Sequence, residues 1–264
     1  MDQHLIIAIN AAIQAGKEII NVYNGEFDVE LKDDASPLTI ADKKANHIIN
    51  QYLVKTDIPI ISEENAQIDY KIRKDWDTCW IVDPLDGTKE FIKRNDEFTV
   101  NIAFVDSGKP ILGVIFVPVS KELYFADVKK MEARYVKLST YEDSFEDLIQ
   151  SSIKIGMQEK PLDEVRVVGS RSHMNKETVD FVEGLKKGYK KVEIISKGSS
   201  LKFCLVAMGK ADIYPRFAPT MEWDTAAAQA LCEALDIKVI SQETNDSLLY
   251  NKENLLNPWF LVSR

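Results

Sequence analysis

Trp80-Ile81-Val82-Asp83-Pro84-Leu85-Asp86-Gly87-Thr88 sets two carboxylates three residues apart between an apolar run and a Gly-Thr pair. The apolar run reads as the end of a buried strand, and Gly87-Thr88 as a tight turn opening a helix. Asp83 and Asp86 are therefore expected at the carboxyl end of a strand, a place that suits hard divalent cations and phosphates. Pro84 stiffens that turn. Taken alone, the same residues equally describe a solvated Asp-Pro/Asp-Gly turn. Ser62-Glu63-Glu64 follows a short apolar run and supplies a further oxygen ligand if its strand neighbours the Trp80 strand. An acidic surface pair is the alternative. Asp42 reads either as a first-turn carboxylate complementing a helix dipole, or as the partner of a hydroxyl such as Thr88 that orients and deprotonates an attacking water. Asp224, in Glu222-Trp223-Asp224-Thr225-Ala226-Ala227-Ala228, reads either as an N-cap or as a carboxylate brought to a second metal.

A second group of residues suits an anionic substrate. Gly169-Ser170-Arg171-Ser172-His173 follows a strand, Gly198-Ser199-Ser200-Leu201-Lys202 opens a helix, and Tyr214-Pro215-Arg216 ends a strand. Small hydroxyl residues, backbone N–H groups and cations are what phosphate oxygens require. Each segment alone is also an ordinary loop, and His173 shows no Ser/His/Asp triad spacing.

The elements that must carry these residues follow from periodicity. Ile6, Ile9, Ile13 and Ile20 recur at helical spacing; Lys17 and Glu18 interrupt the run, so an amphipathic helix is expected rather than a signal sequence. No stretch reads as long and apolar enough to span a bilayer. Residues 27–31 alternate like a strand, 33–37 form a loop, 39–54 a second helix, and 59–62 a short strand. Residues 98–105 and 111–117 form a hairpin around Asp106-Ser107-Gly108-Lys109-Pro110, with further antiparallel strands at 123–125 and 133–136. This predicts an α+β domain over residues 1–150, built on an antiparallel sheet and holding most of the carboxylates. Residues 141–160 are polar and read as the connection. Beyond them strands at 165–169, 192–195, 212–214 and 238–240 alternate with helices near 176–187, 200–208 and 225–235. That predicts an α/β domain over residues 151–264, which carries Asp224 and the substrate loops.

Composition narrows the partners. The chain has 264 residues, 45% hydrophobic and 28% charged, with a formal net charge of -9. A basic nucleic-acid footprint is absent, and an acidic protein can still bind an anionic small molecule if metal ions reverse the local field. Cys79, Cys204 and Cys232 are far apart and form no CxxC pair, so reduced thiols in the cytoplasm are expected.

Together these segments resemble the magnesium-dependent, lithium-sensitive phosphatase superfamily that includes inositol monophosphatase and fructose-1,6-bisphosphatase. Residues 83–102 (DPLDGTKEFIKRNDEFTVNI), 198–204 (GSSLKFC), Tyr214-Pro215-Arg216, residues 170–173, Ser36-Pro37-Leu38-Thr39 and Leu256-Asn257-Pro258 are similar to the CysQ-type 3'(2'),5'-bisphosphate nucleotidases. The resemblance implies a layered α-β-α-β-α fold and two or three Mg2+ ions, with inhibition by Li+. It assigns Glu63, Asp83 and the Leu85 carbonyl to one ion and Asp83, Asp86 and Asp224 to another, with Asp83 bridging. Thr88 paired with Asp42 would activate the attacking water. Gly87, Thr88, Ser170, Arg171, Ser172, His173, Gly198, Ser199, Ser200, Lys202, Arg216 and Asp224 would contact substrate. The implied reaction removes the 3'-phosphate of adenosine 3',5'-bisphosphate, clearing a by-product of sulfur assimilation. An inositol or sugar phosphate monoesterase on the same scaffold is the alternative, and a non-catalytic nucleotide sensor a more distant one. A homodimer is compatible with the resemblance, although oligomeric state has no signal in the sequence. Ala228 stands where the family usually has glycine, a change that could crowd a backbone approaching substrate but removes no ligand. Met221-Glu222 before Trp223 is a second departure.

Overall fold

The computed structural model describes residues 1–26, 28–31, 37–156, 162–170 and 175–264. Helix α1 (Gln3–Tyr23) starts at Asp2, whose carboxylate accepts the His4 N–H, and buries Leu5, Ile9, Ile13 and Ile19. By length and composition α1 could cross a membrane, which corrects the expectation that no stretch could. Its apolar face is instead used up against a sheet, so its hydropathy is that of a core helix. Strands β1 (Val29–Leu31) and β2 (Pro37–Thr39) pair as a hairpin, so Pro37 belongs to a strand; most of the expected 33–37 loop, and Phe27, lie outside the described residues.

Helix α2 (Ile40–Leu53) begins with a capping box. Thr39 Oγ1 accepts the Ala41 N–H, and Asp42 Oδ2 accepts the Thr39 N–H at 2.8 Å. Then come β3 (Ile60–Ser62), the single turn α3 (Tyr70–Arg73), β4 (Thr78–Asp86), the short helix α4 (Thr88–Ile92) and strands β5 (Thr99–Asp106), β6 (Lys109–Val117), β7 (Glu122–Asp127) and β8 (Glu132–Lys137). Helix α5 (Phe145–Ser151) and strand β9 (Ile153–Lys154) occupy the expected connection. Ser144 caps α5, a local signal that polar composition obscured. Among the described residues these strands form a seven-stranded sheet, β3-β4-β5-β6-β7-β8-β9, so the first sheet continues past residue 150. Its pairs are antiparallel except β3–β4, which is parallel.

The second half supplies β10 (Glu164–Ser170), α6 (Lys176–Leu185), β11 (Lys191–Lys197), α7 (Leu201–Ala207), β12 (Ile213–Arg216), α8 (Ala226–Glu233), β13 (Lys238–Ser241) and β14 (Phe260–Ser263). Their sheet runs β11-β10-β12-β14-β13, parallel over the first three strands and antiparallel where β14 enters. The resulting layers are α1 and α2, the larger sheet, α7 and α8, the smaller sheet, then α6. One apolar cluster joins Ile81, Ala103 and Ile115 of the large sheet to Ala227 and Leu231 of α8 and to Phe260 and Val262 of the small one. Ala228 is 1% exposed, packed within this cluster. All three cysteines are buried and unbridged.

Candidate active site

Residues three apart on a regular strand face opposite sides of the sheet. Asp83 and Asp86 share a side because β4 is irregular between them: Asp83 lies across from Asn101 and Asp86 across from Thr99, so one strand spends an extra residue. The expected turn is thus a bulge inside a strand that runs on to Asp86. Pro84 falls within it, where its missing N–H breaks no ladder bond. The Leu85 N–H turns onto Asp83 Oδ1 at 3.0 Å. Gly87 then takes φ 99° and ψ 39°, and a Cβ there would lie 3.0 Å from the Glu97 carbonyl and 3.3 Å from Ser199 Cβ.

Glu63 reaches this bulge through the parallel β3–β4 pairing, which places Ser62 beside Val82 and sends the Glu63 N–H to the Val82 carbonyl at 3.2 Å. Asp224 arrives from the second half in a 3-10 turn over Glu222–Asp224, where its Oδ2 accepts the Met221 N–H at 2.8 Å. That turn is tied down twice. Fully buried Glu222 pairs with Lys252 Nζ at 2.6 Å and accepts the Asn251 and Lys252 N–H groups, while Asn257 donates to the Met221 carbonyl and to Thr225 Oγ1. The Met221-Glu222 departure is therefore an anchor.

Carboxylate oxygens of Asp83, Asp86 and Asp224 lie within 4.8 Å of one another. Glu63 stands outside that tight group but lines the same space and repels Asp83. Glu64 does not line it. Burial, then repulsion from Glu63, Asp86 and Asp224, pushes the Asp83 carboxyl well above its ordinary range. Burial and Asp86 push Asp224 up to about 7, although the Met221 N–H and Arg216 pull the other way. Acids so crowded are satisfied by cations, and the all-oxygen donor set suits a hard divalent ion. Asp42 is 2% exposed; Thr39 holds its Oδ2, and Oδ1 accepts from Thr88 Oγ1 at 3.1 Å. The Leu85 carbonyl is 3.3 Å from the same hydroxyl.

The carboxylates adjoin a second space that shares part of their lining. Asp86, Gly87, Lys89, Glu90, Arg216 and Asp224 form the shared wall; Gly198, Ser199, Lys202 and Tyr214 lie beyond it. Lys202 is buried over the Tyr214 ring, its ammonium bonded to the Ser199 carbonyl at 2.5 Å. Burial lowers its pKa to about 8, with Asp86 opposing and Arg216 reinforcing. Arg216 donates through Nη2 to the Pro219 carbonyl, while its buried Nε finds no partner among the described residues.

The model of the inositol monophosphatase family matches residues 1–257. The chain belongs to the inositol monophosphatase family. It is 42% identical over 256 residues to the 3'(2'),5'-bisphosphate nucleotidase CysQ of Escherichia coli K12, covering 96% of each chain. The structure of CysQ from Bacteroides thetaiotaomicron is 48% identical with a TM-score of 0.89, covering 100% of this chain and 97% of that one. An IMPase/NADP phosphatase complexed with Mg2+ and phosphate shares the fold, with 20% identity and a TM-score of 0.68 over 95% of this chain and 86% of that one.

Several expected residues of the family site come together: Glu63, Asp83, Leu85, Asp86, Gly87, Thr88, Arg216 and Asp224 line one space, and Gly198, Ser199 and Lys202 the adjoining one. Ser200 does not join them. It is 1% exposed and turned behind Asp86, its Oγ 2.9 Å from Asp86 Oδ2. Arg171, Ser172 and His173 lie outside the described residues, and only the backbone of Ser170 is described, at the end of β10. The sequence reading passed over Glu97, which accepts the Gly198 N–H at 2.8 Å and pairs with Lys197 at 3.1 Å. It also passed over Thr99 and Asn101. Their signal was legible: polar residues two apart in an apolar strand, opposite the two carboxylates.

Proposed function

We propose that this chain is a magnesium-dependent 3'(2'),5'-bisphosphate nucleotidase that releases the 3'-phosphate of adenosine 3',5'-bisphosphate to give AMP. The observation that carries this reading is the pairing of an acidic cluster with buried cations across one wall. A single phosphate ester needs only the carboxylate end. Lys202, a buried ammonium that an anion would neutralise, and the orphaned Arg216 Nε together call for a second anionic group on the substrate.

Glu63, Asp83 and the Leu85 carbonyl would hold one Mg2+ and Asp83, Asp86 and Asp224 another, with Asp83 shared. Bound there, the ions would polarise the phosphoryl oxygens and lower the pKa of the attacking water. Thr88 does the positioning. Its hydroxyl proton is committed to Asp42 Oδ1, which leaves its lone pairs to accept from the water. The Asp42 carboxylate is itself fixed by Thr39, so the pair does not have to reorganise. Gly87, with no Cβ, would let the backbone approach the phosphate. Ser199 and Lys202 would bind the other end of the nucleotide. A cytoplasmic location fits the three buried, unbridged thiols.

The deciding experiment measures phosphate release from adenosine 3',5'-bisphosphate and inositol 1-phosphate, with Mg2+ and again with added Li+. The bisphosphate should be preferred by a wide margin, with turnover lost in chelator and inhibited by Li+. Preference for the inositol ester would overturn the substrate assignment, and nucleotide binding without release would overturn the enzyme.

A further inference from the structure

Ser200 occupies the N-cap position of α7, yet its hydroxyl does not cap that helix. It faces the large sheet instead, where its Oγ lies 2.9 Å from Asp86 Oδ2, 2.9 Å from Asn101 Nδ2 and 3.1 Å from the Asp224 carbonyl. Asn101 is 1% exposed. Thr99 Oγ1 donates to Asn101 Oδ1 at 3.1 Å, which fixes the amide so that Nδ2 points at Ser200 and, at 3.4 Å, at Asp86 Oδ2. Thr99 Oγ1 is itself 3.5 Å from that same oxygen. Every hydrogen bond recorded to the Asp86 carboxylate among the described residues thus falls on Oδ2.

The donor count closes. Asn101 brings two amide protons, one for Ser200 Oγ and one for Asp86; Ser200, having accepted, spends its own proton on the charged oxygen. The alternation of β5 sets Thr99 and Asn101 on the same face, opposite Asp86 and Asp83. This buried network therefore joins a strand of the first half, a cation ligand and the loop that carries Ser199 and Lys202.

We infer that Asn101 and Ser200 are positioning residues for Asp86, gripping one carboxylate oxygen from behind so that the other is presented to the cation, and thereby tying the substrate loop to the cation site. The inference rests on the reading of Asp86 as a cation ligand. Without the grip Asp86 can rotate, and outer partners of metal ligands of this kind are worth about 10- to 100-fold in affinity.

The test uses the full chain with Asn101→Leu, which keeps volume without a donor, with Ser200→Ala, and with Ser200→Thr, which keeps the hydroxyl. Mn2+ serves as probe: the substrate-free protein is titrated and free Mn2+ followed by electron paramagnetic resonance, beside the Mg2+ dependence of phosphate release. Asn101→Leu and Ser200→Ala should weaken Mn2+ binding about tenfold or more and raise the half-activating Mg2+ concentration alongside. kcat at saturating Mg2+ should fall by less than about threefold, and Ser200→Thr should recover most of the affinity. Should Asn101→Leu not fold, Ser200→Ala decides alone, since its hydroxyl caps no helix. A parent protein that binds Mn2+, with variants that bind it within about twofold as tightly, overturns the positioning role. So does a loss confined to kcat. A parent that binds no Mn2+ overturns the cation reading itself, and this inference with it.

Discussion

Asp224→Asn should make the metal-free protein more stable while removing its activity. The Asp224 carboxyl is pushed from its ordinary 3.8 up to about 7, first by burial and then by Asp86. A folded-state pKa above the unfolded one means that the folded chain holds the proton more tightly. The associated stability is complete below about pH 4 and is lost as pH rises through about 7. At 1.36 kcal/mol per pH unit the gap amounts to about 4 kcal/mol at pH 8, an upper figure because Asp83 and Asp86 share the same repulsion. The neutral amide can still accept the Met221 N–H, so the turn keeps its cap. For a chain of this size each kcal/mol is worth roughly 2–4 °C, so a melting temperature higher by up to about 8–16 °C is expected in EDTA at pH 8. The advantage should shrink at pH 5, where the parent carboxyl is protonated. Added Mg2+ should reverse the order, raising the parent and leaving the variant nearly unmoved. Calorimetry in EDTA and in Mg2+ at the two pH values reads all of this. A variant that melts at or below the parent in EDTA at pH 8, or a gap unchanged at pH 5, would refute the electrostatic argument.

Three further outcomes follow from other parts of the site. Thr88→Val and Asp42→Asn should each lower kcat about 10²-fold or more while Mg2+ still raises the melting temperature, because their proposed role is to orient water and not to hold cations; steady-state kinetics beside thermal melts separates the two. Lys202→Met and Arg216→Met should raise KM for adenosine 3',5'-bisphosphate about tenfold or more and leave 3'-AMP nearly unaffected, a contrast seen by comparing the two substrates. Gly113→Ala would bring a Cβ to 2.3 Å from the Ala227 carbonyl and 2.8 Å from Ala230 Cβ, where α8 crosses β6. The helix must lift, at a cost of about 1–3 kcal/mol, visible as a lower urea midpoint.

Much of the site was legible because its chemistry is written in short segments. Asp83, Asp86, Gly87 and Thr88 stand within six residues, and composition named their surroundings: apolar residues before, a φ-permissive glycine after. The Thr39–Asp42 capping box is likewise local, and helices α1, α2 and α8 follow from period alone. What local text could not show was which face each carboxylate takes. Spacing of three on a strand argues against a shared side, and only the bulge opposite Thr99 and Asn101 reconciles it. Ser200 shows the same limit from the other side, since a serine before a helix looks like a cap or a phosphate ligand until the strand beside it is known. Strand β14 was missed because Phe260–Ser263 is short and earns its pairing from β12 and β13, far away in sequence.

The sequence by itself determined the donor types, the main helices and the family, all of which depend on residues close together in the chain. Tertiary structure decided the rest. It set Glu63 beside Asp83 through a parallel strand pair and carried Asp224 across from the second half on a turn held by Glu222 and Asn257. It also stripped water from Asp83, Asp224 and Lys202 together. The physical reason is that charge repulsion and desolvation depend on distances through space, which chain order does not record.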